Sequence, residues 1–227
     1  MTTSQLAEGP SGQPSWSMEQ VAAHVARDLP DGAYVNIGIG LPTLVPGYIP
    51  AGRDVVLHSE NGMLGMGGPP APGTGDPELI DAGKHPATLL PGGSYFNHAE
   101  AFAMIRGGHI DVSVMGAFQV SQNGDLANWT VPGDKVPAVG GAMDLAAGAK
   151  RVVVLTRHTT RTGEPKLVAA CTCPLTAAGA VSRVYTDLAT MDVRDGRFSV
   201  VEAVPGLTAA VLAKLTGGDI EWNSHNG

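Results

Sequence analysis

The chain has 227 residues, a formal charge of −7, 43% apolar and 15% charged residues, a balance that suits a compact globular protein of one large or two small domains. This acidity excludes a general nucleic-acid binder, whose affinity comes from Lys and Arg neutralising phosphates, yet leaves room for one locally held anionic ligand. Cys171 and Cys173 form a lone C-x-C without the second pair a zinc site needs, so they are expected as reduced structural thiols.

Residues 1–16, rich in Ser, Thr, Gln, Gly and Pro, are expected as a disordered tail. They lack the basic-then-apolar order of a signal peptide, and no apolar run approaches the ~20 residues that span a bilayer, so a cytoplasmic location is expected. Ser17-Met18-Glu19-Gln20 has the order of a capping box. Val21, Val25 and Leu29 then recur every four residues before Pro30-Asp31-Gly32, which predicts an amphipathic helix and its stop.

Tyr34-Val-Asn36-Ile-Gly38-Ile-Gly40 reads as a buried strand running into glycines, with Pro42 at the first position of a following helix. A second strand, Val55-Val56-Leu57-His58, leads into Ser59-Glu60-Asn61-Gly62-Met-Leu-Gly65-Met-Gly67-Gly68, the most unusual stretch of the chain. Short helices are expected at 78–82 and 99–106, strands at 110–115, 152–156, 181–186 and 198–202, and a closing helix at 208–215. The alternation predicts one α/β domain over residues 17–217, an open mixed, mostly parallel sheet flanked by helices, with 218–227 as a C-terminal tail.

Two readings of the first half compete. Gly38 and Gly40 after a strand, with Glu60 at the end of the next, imitate a dinucleotide-binding fingerprint, but Thr43 stands where the third glycine belongs. The other reading makes Glu60 reactive. A carboxylate at the carboxyl end of a buried strand, followed by Gly62, Gly65, Gly67 and Gly68, sits where open α/β sheets bind ligands and where backbone can approach a substrate. Against both stands a structural role, a turn cap or an ion pair with a Lys.

The ordered motifs go further. Ser59-Glu60-Asn61-Gly62 with Gly65-Met-Gly67, then Asn128-Trp129 and Gly140-Gly141-Ala-Met-Asp144, resemble the B subunits of the 3-oxoacid and 3-oxoadipate CoA-transferases. Asn36-Ile-Gly38-Ile-Gly40-Leu-Pro42, Asp81-Ala-Gly-Lys84, Met104-Ile-Arg-Gly-Gly-His109 and Pro174-Leu-Thr176 extend the likeness over residues 21–202.

The resemblance implies a NagB-like three-layer fold and a ping-pong exchange through a glutamyl-CoA thioester at Glu60. Gly141, with Gly140, is implied as oxyanion donor beside a Gln of a partner A subunit, although paired glycines also serve as plain packing turns. Asn36, Lys84, Asn61, Gly38 and Gly40 are implied at the CoA site, while a solvated surface role remains open for Lys84. An A subunit in an α2β2 assembly is the implied partner. No resident cofactor is implied, since the CoA thioester is itself the substrate.

For the acyl group, His98, with the stretches Gly116-Ala-Phe-Gln119 and Pro137-Ala-Val139, favours 3-oxoadipate over acetoacetate if His98 meets a distal carboxylate. A packing role for His98 and a non-catalytic or sugar-phosphate-binding member of the same fold stay open. Arg106 and His109 are expected to be structural.

Overall fold

Ser17 caps α1 (Met18–Asp28) with both arms of the expected box, its hydroxyl accepting from the Gln20 amide while the Gln20 side chain accepts from the Ser17 amide. The helix buries Met18, Val21, Ala22, Val25 and Ala26 along one face, the stripe that its four-residue repeat predicts. The computed structural model describes residues 7–8, 12–133 and 139–222. Pro137 and Ala138 lie outside the described residues, as does most of the expected N-terminal tail.

The last part of that tail is not loose. Strand β1 (Ala7–Glu8) pairs antiparallel with β2 (Pro14–Ser15), and Trp16 is buried edge-on to His24, with ring centroids 4.4 Å apart. Burying an indole outweighs the polar composition around it.

From α1 the chain enters β3 (Ala33–Ile37) and a 3-10 helix (Leu41–Tyr48). An α-helix does not form there because Pro46, inside the segment, has no N–H to donate. Then follow β4 (Val55–Ser59), β5 (Met63–Met66), β6 (Leu89–Tyr95), α2 (His98–Arg106), β7 (Val112–Met115), β8 (Gln119–Ser121) and β9 (Leu126–Ala127). The second half contributes α3 (Ala142–Gly148), β10 (Arg151–Leu155), β11 (Leu167–Val168), β12 (Val181–Tyr185), β13 (Ala189–Arg194), β14 (Arg197–Ala203), α4 (Ala209–Leu215) and β15 (Ile220–Glu221).

Ten strands form one sheet in the order β15-β14-β13-β12-β10-β7-β3-β4-β5-β6. The central five, β12 to β4, are parallel, and antiparallel hairpins extend the sheet at both ends. Val35, Val114, Val154 and Val184, one from each of four central strands, are fully buried, as expected where both faces of a parallel sheet are covered.

The expected helix at 78–82 is absent: that segment is turn and a bridge from Ile80 to Pro86. Past residue 217, β15 pairs parallel with β14 and Trp222 packs on the core, so residues 218–222 of the expected C-terminal tail belong to the folded domain. Among the described residues, no helix is long and apolar enough to cross a membrane.

Candidate active site

The chain runs from β3 outward in both directions across the sheet, to β4 on one side and to β7 and β10 on the other. Strand order therefore reverses beside β3, and crevices at the carboxyl ends of such strands are where open α/β sheets hold ligands. A cavity of about 470 Å³ opens there, lined by Ile37 and Gly38 after β3, Glu60 after β4, Met115 and Gly116 after β7, and Leu155 and Thr156 after β10. Gly140, Gly141 and the start of α3 close another side. Its size suits a small-molecule site.

Glu60 is aimed by a tight turn. The Gly62 amide donates to Ser59 O at 3.0 Å, and the Phe96 amide donates to Gly62 O at 3.0 Å, fastening the turn to the end of β6. Gly62 has φ +117°, and a Cβ there would lie 2.1 Å from Phe96 O, so only glycine fits. Asn61 donates to Ile80 O at 2.7 Å and accepts from the Ser59 hydroxyl. Its side chain ties the chain at Ile80 to the turn, and Asn61 is not among the residues that line the cavity.

The Glu60 side chain is half-buried, and no donor among the described residues makes a hydrogen bond or ion pair with its carboxylate. Burial holds its carboxyl above the usual carboxylate range. The charge of His98 pulls it back and that of Asp144 adds to the rise.

Gly141 is pressed against it. A Cβ at Gly141 would sit 2.6 Å from Glu60 Oε2 and 2.6 Å from Phe102 Cζ. Gly141 is buried, and neither it nor Gly140, at φ +58°, donates its N–H to any group among the described residues. A backbone amide without an acceptor among the described residues, on a residue packed against the carboxylate, suits an oxyanion donor. Arg106 supports this wall by bonding Asp144 in α3 at 2.7 Å while its guanidinium covers the Phe102 ring at 5.5 Å.

The other residues expected at the site divide. Gly38 lines the cavity, its amide bonded to Val114 O at 2.8 Å. Gly40, at φ +85°, begins the 3-10 helix and is not among the lining residues. Because the element that follows is a 3-10 helix holding Pro42 and Pro46, there is no α-helix N-terminus for a pyrophosphate, which counts against the dinucleotide reading.

Asn36 is fully buried, its amide within 3.1 Å of His58 Nδ1 and 3.3 Å of His58 O. It braces β3 against β4 and does not line the cavity. Lys84 is exposed at φ +65° beside its turn partner Asp81, also outside the cavity lining. His98 is exposed at the start of α2, its ring 4.6 Å from that of Phe102. It influences Glu60 through charge alone and does not line the cavity. Nothing in this position marks His98 as the partner of a distal carboxylate, and its ring packs on Phe102.

Several motifs turn out to be fasteners. Asn128 donates to Gly116 O at 3.2 Å and accepts from Thr176 at 2.6 Å, while Trp129 Nε1 donates to Leu175 O at 3.2 Å. The cavity residue that sequence reasoning missed is Lys166, which precedes β11 and lines the cavity floor. A single Lys in a polar loop carries no local signal of burial. Cys171 and Cys173 are free thiols, and burial pushes the Cys171 thiol up to about 11, away from reactivity. No His, Cys, Asp and Glu cluster among the described residues could hold a metal ion.

The chain resembles known proteins in sequence and in fold. Residues 18–213 match the family described as Coenzyme A transferase. The chain is 56% identical over 200 residues to the B subunit of the 3-oxoadipate CoA-transferase of Acinetobacter baylyi, covering 88% of this chain and 92% of that one. It is 47% identical over 201 residues to the B subunit of a probable succinyl-CoA:3-ketoacid coenzyme A transferase of Bacillus subtilis, covering 88% and 93%. An acyl-CoA transferase from Escherichia coli, solved as a thioester complex with CoA, matches in fold with a TM-score of 0.70 at 16% identity, over 91% of this chain and 42% of that longer polypeptide. With a family match over nearly its whole length and relatives covered almost end to end, the chain belongs to the coenzyme A transferase family.

Proposed function

We propose that this chain is the nucleophile-bearing subunit of a succinyl-CoA:3-oxoadipate CoA-transferase. The observation that carries the reading is Glu60 itself, half-buried, without a donor among the described residues and in contact range of Gly141.

The Glu60 carboxylate attacks the thioester carbonyl of succinyl-CoA, the C–S bond breaks, and CoA leaves as thiolate with a mixed anhydride left behind. The thiolate attacks the glutamyl carbonyl of that anhydride, and succinate departs with the bridging oxygen. The acceptor carboxylate then displaces CoA from the glutamyl thioester, giving a second anhydride. Attack of thiolate on its acyl carbonyl releases the new acyl-CoA and regenerates the Glu60 carboxylate.

Acyl groups pass between carboxylates of similar energy, so thioester energy is kept as long as water is excluded. A carboxylate is a weak nucleophile towards a thioester, and correct placement can supply up to about 7–11 kcal/mol of the barrier. Burial helps by stripping water from the carboxylate, and each oxyanion is met by the amide of Gly141, which has no acceptor among the described residues, an interaction worth about 3–4 kcal/mol.

The mouth of the cavity is apolar and open. Ile39 is 64% exposed and Phe118 41% exposed while both line it, which supports a second chain, an A subunit in an α2β2 assembly, covering the site. The preference for 3-oxoadipate rests on the 56% identical relative named for that acid; the relative named for 3-ketoacids supplies the competing acceptor, acetoacetate.

Mixing the chain with its A subunit and succinyl-CoA, and comparing kcat/KM for the two acceptors, tests the reading. Faster use of 3-oxoadipate is expected. A preference for acetoacetate would move the chain to the 3-ketoacid enzymes, and no transfer to either would overturn the proposal.

A further inference from the structure

The thioester exchange leaves one charge in the cavity unused. Among the described lining residues only Glu60 and Lys166 carry a formal charge; the walls between them are mostly apolar or backbone, including Ile37, Met115, Ala117, Leu145 and Leu155. Lys166 is held firmly. Its amide donates to His158 O at 3.0 Å, and its carbonyl accepts from the Val120 amide at 2.9 Å, so its backbone is fixed between the chain leaving β10 and strand β8.

The ammonium donates to the Thr156 hydroxyl, which in turn donates to Ala117 O at 3.2 Å. No carboxylate among the described residues forms an ion pair with it. The nearest acid that acts on it, Asp187, is taken up by the His158 amide at 2.7 Å and faces Arg157 at 3.7 Å. A half-buried ammonium with one neutral hydroxyl partner has donors to spare, and an apolar surround makes an incoming anion the natural partner. Glu60 and Lys166 line the same cavity without forming an ion pair with each other.

We infer that Lys166 binds the distal carboxylate of a dicarboxylic acyl group whose other end is presented to Glu60, and so selects diacids over monocarboxylic acids. The inference rests on the CoA-transferase reading above and assigns to Lys166 the role that the sequence suggested for His98. The direction of charge agrees: a chain of net charge −7 keeps one cation among the described residues of this cavity, where a second carboxylate would otherwise meet mostly apolar or uncharged wall and Glu60.

The test uses the assembled enzyme with its A subunit. Specificity constants for the paired acceptors 3-oxoadipate and acetoacetate, and succinate and acetate, are measured in the native protein and in Lys166→Met and Lys166→Gln. The diacid-to-monoacid ratio should fall by about 10- to 100-fold in both variants, the size expected for losing a charge-assisted hydrogen bond. Burial lowers the Lys166 ammonium to about 8, with Asp187 opposing and Arg157 adding to the effect, so native kcat/KM for diacids should also decline above pH about 8 while that for monoacids does not follow it.

An unchanged ratio, or equal loss for both acid classes, overturns the inference. Peptide mapping of the acyl-CoA-treated native enzyme separates the two levels. A CoA adduct at Glu60 with an unchanged ratio removes only the role of Lys166, whereas no adduct at Glu60 removes the transferase reading and this inference with it.

Discussion

Glu60 leaves β4 into a site where burial raises its carboxyl pKa and no neighbour among the described residues compensates it with a hydrogen bond. A carboxyl whose folded pKa is raised stabilises the fold below the unfolded value of 4.5, and that stability is lost as pH rises through the folded value. At neutral pH the ionised nucleophile is therefore a cost to the fold. Glu60→Gln should abolish transfer and yet unfold at a higher temperature than the native chain at pH 7.5, with the gap closing towards pH 4.5 in thermal scans.

Gly141 is the companion residue. A methyl group there would meet Glu60 Oε2 and the Phe102 ring, each at 2.6 Å, so Gly141→Ala should lower kcat/KM by roughly 100-fold or more through misplacement of the carboxylate, while far-ultraviolet circular dichroism stays native. Motif order alone singled out both residues, and the fold brings them together. The surroundings of Lys166, Asn36 and His98 were not legible, because burial and the direction of a side chain depend on other residues of the fold: Thr156 for Lys166, His58 for Asn36 and Phe102 for His98.

The turn between β4 and β5 is the element on which the site depends. Its Gly62 combines φ +117° with a Cβ position 2.1 Å from Phe96 O. Gly62→Ala should cost about 2–4 kcal/mol, since it strains the backbone and drives a side chain into a carbonyl, measured as a lower urea midpoint at unchanged m-value. Capped helices such as α1 could be read from sequence because the box and the repeat are local. Strand β6, holding Pro91, Gly92 and Gly93, could not. Such residues are tolerated on an edge strand, and edge position is a property of the whole sheet.

Across the whole molecule, the parallel centre and the reversal beside β3 set the cavity, and both follow from a βαβ rhythm visible in the sequence. The buried polar groups were less visible. His58 and His158 are both held neutral by burial, their pKa values lowered to about 4 from 6.5, and His158 is spanned by Thr186 and Thr216, each at 3.0 Å. A lowered folded pKa means that stability is fully present above pH 6.5 and drains as pH falls towards 4, because the unfolded chain takes up protons first. Urea midpoints should therefore drop between those pH values, and the drop should shrink in His158→Gln.

Transfer turns on one side chain in the assembled enzyme, and covalent trapping identifies that side chain. After the chain and its A subunit are treated with succinyl-CoA and quenched with hydroxylamine, peptide mass mapping should find a hydroxamate on Glu60 and none in Glu60→Ala. Modification at another residue, or modification that persists unchanged in Glu60→Ala, would contradict the account.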